Sequence, residues 1–209
     1  MGSGLDSLLK KPSGRAGAAD AAEAVDGRRK RSEDSRARIV AAMLELVQAG
    51  EMAPGAEQVA AHAGVGLRTV FRHFNDMDSL YREMTAAMEA EIMEVVAKPM
   101  KGETWREKLS DMIARRATAF EKMAPYQRAA AVHRHRSPYL SAGHDRFTAT
   151  CRALLMAILP KDIASQPALL ESLDLMLSFE TWSRLRREQN LTARRARGVV
   201  EDIVQKLLA

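Results

Sequence analysis

The chain has 209 residues and 46% hydrophobic residues, so it can bury roughly two-thirds of its unfolded surface as one compact domain or as a small and a larger one. Aromatics make up only 5% while alanine, leucine, methionine and arginine abound, which predicts an all-α fold. Net charge is +5, a modest excess compatible with a nucleic-acid partner. The lone Cys151 excludes an internal disulfide, and no apolar run approaches the roughly 18 residues of a membrane span or the core of a secretory signal. A soluble, cytoplasmic protein is the expectation.

Residues 1–31 carry hardly any large apolar side chain after Leu9, so they are expected to form a disordered basic tail. From the end of this tail onward, Arg28 to Arg38 holds six basic and two acidic residues. Such a run is either a solvated linker end or an arm that adds phosphate contacts. From Glu33 to Ala49 apolar residues recur at three and four, giving an amphipathic helix ended by Gly50.

Pro54 to Phe74, PGAEQVAAHAGVGLRTVFRHF, then reads as two short helices joined by a glycine turn, the arrangement of a helix-turn-helix. The first covers Ala56 to Ala63, and Gly64 suits the left-handed exit. Val65 plugs the turn. Val70, Phe71 and Phe74 give the second helix an inward face, while Leu67, Arg68, Thr69, Arg72 and His73 lie on the other side, which has no acidic residue to repel DNA.

A longer helix should run from Asp76 or Asp78 to about Lys98, where Pro99 stops it. It joins the reader to everything downstream. Glu103 to Met123 is a further amphipathic helix closed by Ala124-Pro125, Tyr126 to Arg136 a short alanine-rich one, and a third starts near Ser141 and halts at Pro160. Pro167 to Arg187 is apolar over a wide arc, and Thr192 can cap a final helix through Leu208. Apolar residues of these last two helices, Leu170, Leu173, Leu177, Val200, Ile203 and Leu207, either form half of a four-helix dimer interface or close the monomer core.

The reader residues resemble the tetracycline-repressor (TetR) family of bacterial transcription regulators. The likeness runs from SRARIVAAMLELVQAG (Ser35 to Gly50) through the helix-turn-helix to NDMDSLYREM (Asn75 to Met84), about fifty residues. It implies a three-helix DNA-binding domain over residues 32–76 and a helical ligand-binding and dimerisation domain over 77–209, about nine helices in all. The resemblance implies a homodimeric, ligand-responsive regulator, a repressor that binds a near-palindromic double-stranded operator. Helical interaction modules that have lost DNA binding are the alternative. Phe71 stands where the family has tyrosine, Met77 where it has lysine, and Pro54-Gly55 where it has a capping hydroxyl, so backbone contacts should shift onto arginines. The DNA-contacting set is therefore Arg68, Thr69, Arg72 and His73, with Leu67 and Phe71 on sugar or thymine methyls and Arg36 and Arg38 on phosphate.

Other chemistry is weak. His133 and His135 would point about 200° apart on a helix, which argues against a metal site with His144 and Asp145. There is no phosphate loop or nucleophile elbow, so neither an enzyme nor a cofactor is expected. An apolar effector pocket is expected from Trp105, Met112, Phe120, Met156 and Trp182, with Arg116 and His133 as its polar contacts.

Overall fold

The first helix begins much earlier than the periodicity predicts. The structure, a computed structural model, describes residues 16–96 and 98–209, and α1 runs over Ala16–Gln48. Residues 1–15 of the expected disordered tail lie outside the described residues, whereas 16–31 are helical backbone continuous with the reader. Alanine costs a helix least, and a helix already nucleated by its packed half extends at one hydrogen bond per added residue. The half that packs is the predicted one: Ile39, Ala42, Met43 and Val47 are buried.

Against them lie α2 (Ala56–Ala63) and α3 (Leu67–His73), through Val59, Ala60, Val70 and Phe74. Gly64 adopts φ 62°, and this left-handed exit lets Val65 N–H reach Ala60 O at 3.0 Å, closing the turn. Gly55 precedes α2 without a hydroxyl, and Gln58 compensates by accepting from Gly55 N–H at 2.9 Å. Asp76 caps α4 (Met77–Val96) by accepting from Ser79 N–H at 2.7 Å, a bond that holds its carboxyl below the usual range. Leu80, Tyr81 and Met84 are buried, so the first half of α4 shares the reader's core.

The body is α5 (Trp105–His133), α6 (Pro138–Met156), the single turn α7 (Lys161–Ala164), α8 (Pro167–Met176), α9 (Phe179–Ser183) and α10 (Ala193–Leu207). Thr104 and Glu107 cap α5 reciprocally. Pro125 does not end α5, contrary to expectation. Phe120, Met123, Tyr126 and Ala129 are buried on both sides of it, and that packing outweighs one missing backbone bond. α6 starts at Pro138 rather than Ser141 because Ser137 Oγ accepts from Leu140 N–H at 3.2 Å and proline suits a first helical position.

The expected single helix from Pro167 to Arg187 is broken at Leu177–Ser178. Ser178 Oγ caps the restart by accepting from Thr181 N–H at 3.1 Å. The buried Arg116 donates to the freed Leu177 carbonyl at 2.9 Å and to Cys151 O, which ties α5 to α6 and to the break. After α9 the chain widens into a π-helical turn, Arg184–Glu188, and Thr192 caps α10 as predicted.

Most of the apolar residues expected at a dimer interface or in the monomer core lie in the core of this chain. Leu170, Leu173, Leu177 and Val200 are buried within the monomer, Leu173 completely, because α8 and α10 pack on each other and α10 on α5. Only Ile203 and Leu207 of the predicted set remain half-buried. The large side chain that α8 leaves open is Leu175, 64% exposed.

Candidate nucleic-acid interface and body cavity

On α3 the 3.6-residue period places Leu67, Arg68, Phe71 and Arg72 on one outward face. Leu67 is 39% and Phe71 49% exposed, large values for such side chains. Phe71, counted with the inward face by spacing, thus turns outward, and the fully buried anchors of this segment are Val70 and Phe74, the residue that follows α3. The Arg68 and Arg72 guanidiniums make no ion pair or hydrogen bond among the described residues, leaving two cations free beside two apolar side chains. Thr69 is half-buried, and so is His73, whose Nε2 is buried without a partner. Burial, then the Arg72 and Arg36 charges, hold the His73 imidazole below the usual histidine range.

Arg36 and Arg38, expected on phosphate, make hydrogen bonds within the helix-turn-helix unit. Arg36 lies 4.5 Å over the Phe74 ring and donates to His73 O at 2.8 Å and to Glu83 Oε1 at 2.7 Å. Arg38 donates to Ala63 O and Gly64 O, both at 2.9 Å, fixing the turn before α3 from outside. Further along α1, Arg29, Lys30 and Arg31 are exposed, with Arg29 3.1 Å from Glu33 one turn on.

The expected effector residues do not all converge on one cavity. Phe120 meets Phe147 and Phe179 edge-on and tilts against Trp182, and such interlocking rings fill the space a pocket would need. Arg116, Phe120 and Trp182 border a void of about 10 Å³, room for at most one water. Trp105 lies in an open groove with Leu154 and Ile158, Met112 is buried, and Met156 is exposed. His133 stacks on Tyr81 with ring centroids 4.3 Å apart.

A cavity of about 290 Å³ exists elsewhere, between α4, α5 and α6. Met88, Ile92, Met123, Tyr126, Leu140 and Phe147 supply its apolar wall. Thr85, Glu89, Gln127, Arg134, His144 and Arg146 are its main polar lining. Arg134 Nε and His144 Nδ1 are buried and unpartnered. Two of these residues, Arg134 and His144, belong to the HRHRSPYLSAGH segment considered for a metal. That concentration of polar residues between two apolar helices was the available signal, and only the crossing of α4 could complete it. No group of three or more His, Cys, Asp or Glu side chains suited to a metal forms among the described residues.

No protein-family model matches the chain, and no curated protein matches it either. Solved structures do. A protein of Pseudomonas aeruginosa PAO1 assigned as a transcriptional regulator superposes with TM-score 0.63 at 19% identity, covering 82% of this chain and 89% of that one. A transcriptional regulator from Rhodococcus sp. Rha1 gives 0.62 at 15% identity over 83% and 95%. The multidrug binding protein EbrR, complexed with imidazole, gives 0.56 at 19% identity over 82% and 93%. The chain has the all-helical fold of these regulators. No helix among the described residues is long and apolar enough to cross a membrane.

Proposed function

We propose that this chain is a cytoplasmic, homodimeric transcription regulator of the TetR type, a repressor that releases its operator when a small molecule enters the body. The observation that carries the reading is the outward face of α3, where Arg68 and Arg72 flank Leu67 and Phe71 without internal partners. Arginines with free planar donors suit guanine edges and phosphates, and the apolar pair suits thymine methyls and sugars. In a two-fold dimer two such helices enter successive major grooves roughly 34–36 Å apart.

Coupling runs through α4. Its first half carries Leu80, Tyr81 and Met84 in the reader's core, and its second half lines the cavity with Met88 and Ile92. A ligand that favours one tilt of α4 changes the spacing of the two readers, and operator DNA must weaken that ligand's binding by the same factor.

The experiment is retention of the full chain on bulk duplex DNA across a salt series, beside the Arg68→Ala/Arg72→Ala double variant. The wild type should bind with a steep inverse dependence on salt and the variant should lose most of it. Equal behaviour of the two proteins overturns the reading.

A further inference from the structure

The cavity between α4, α5 and α6 has two chemically different ends. Tyr81 stacks on His133, and Lys122 pairs with Glu91 at 3.0 Å, so α4 and α5 run antiparallel with Arg134 at the reader end and Met123 and Ile92 at the far end. Arg146 belongs to the reader end as well, because its guanidinium and that of Arg82 both lie within 6 Å of the Tyr139 ring, at 5.8 and 5.7 Å. Arg82 is paired with Asp78 at 3.8 Å, whereas Arg134 and Arg146 have no ion pair among the described residues. The cavity's carboxylate, Glu89, is nine positions along α4 from the level of Arg134. That is roughly 13 Å at the helical rise, so it cannot neutralise that end.

Two buried nitrogen atoms of the lining have no hydrogen-bond partner, Arg134 Nε and His144 Nδ1. Arginine has only donors to offer, and a histidine nitrogen that carries its proton is a donor too. Two guanidiniums without ion pairs, one of them with a buried and unsatisfied Nε, a partnerless imidazole nitrogen and an apolar far wall describe the complement of one kind of molecule.

Building on the regulator reading above, we infer that the effector is a small amphiphilic carboxylate. Its head accepts from Arg134 and His144 at the reader end, with Arg146 beside it, and its apolar body lies between Met88, Ile92, Met123 and Phe147. A volume of about 290 Å³ is at the small end for ligand cavities, which excludes bulky polycyclic bodies.

Calorimetry on the full chain with octanoate, octanamide and octylamine tests the assignment, since the three share a body and differ in the head. Octanoate should bind at least about tenfold more tightly than octanamide, the size of one charge-assisted hydrogen bond, and octylamine most weakly. Arg134→Gln should abolish the preference while leaving octanamide binding within about twofold, and Phe147→Ala should weaken all three. Arg146→Gln, at an exposed side chain that can change without disturbing the core, should halve the preference or more. Equal or tighter binding of octanamide or octylamine, a preference untouched by both arginine variants, or no binding of octanoate overturns the proposal. The DNA series separates the two claims: retention on DNA with no carboxylate preference sinks only the ligand class, and carboxylate binding without DNA retention sinks the regulator.

Discussion

Tyr81 and His133 stack face to tilted face, 4.3 Å between centroids and 41° between planes, at the point where the reader's helix α4 meets the end of α5. Neither Tyr81 Oη nor His133 Nε2 has a hydrogen-bond partner, so the contact is one of rings and not of polar atoms. Tyr81→Phe should therefore leave stability unchanged or raise it slightly in urea titration, because no bond is lost and an unsatisfied hydroxyl is removed.

Both partners of the stack also contribute to the pH dependence of stability. Burial, then Glu51, pushes the Tyr81 phenol up to about 12 from 10.0, so its contribution is intact below pH 10 and is lost as pH rises toward 12. Burial, then His135 and Arg136, lowers His133 below 6.5, so its contribution is intact above that pH and fades as acid protonates the buried ring. Melting temperatures of wild type, Tyr81→Phe and His133→Gln across pH should show the alkaline loss reduced in the first variant and the acid loss reduced in the second.

The four arginines of the reader should divide into two kinds. Arg68→Ala should weaken operator binding by about 1–3 kcal/mol and relax sequence preference with an unchanged melting temperature. Arg38→Ala should lower stability by about 0.5–1 kcal/mol, through the turn carbonyls it leaves to water, before it affects base preference. Parallel gel-shift and thermal measurements check both.

Arg116→Met should destabilise the chain by roughly 2–4 kcal/mol in chemical denaturation, since it keeps the volume but leaves the Leu177 and Cys151 carbonyls without their donor. The effect belongs to the body, so the purified variant should keep its DNA affinity wherever it remains folded.

Leu173 and Leu175 distinguish core from interface. Leu173→Asp should prevent folding, being buried completely, and Leu175→Glu should fold and shift any dimer toward monomer in equilibrium sedimentation. A Leu175→Glu protein that remains dimeric places the two-fold contact elsewhere.

The reader was legible in the sequence because its signals are local. Gly64, Val65 and Gly66 fix a turn, and a 3.6 period fixes which side of α3 faces inward, with Phe71 misplaced because a seven-residue helix has too few turns to define its boundary. The body was less legible. Pro125 and Leu177 are both decided by tertiary partners, the first by buried neighbours that carry the helix past a proline, the second by Arg116 arriving from 61 residues away. Leu170 and Leu173 gave a correct apolar face, but periodicity cannot say whether such a face meets another helix of the same chain or of a second copy. The cavity escaped because its lining comes from three helices, and large aromatics mark the densest packing instead of the space.

Attachment of α3 by Val70 and Phe74, with its turn clamped from α1 by Arg38, makes the reading surface a replaceable part. Positions 67, 68, 71 and 72 are exposed and lie outside the buried core cluster, so they can be rewritten together with the core residues kept. Under the proposed function, transplanting those four side chains from a regulator of another operator is a route to chimeras with new addresses and the same input, and the Tm of the parent should carry over to each.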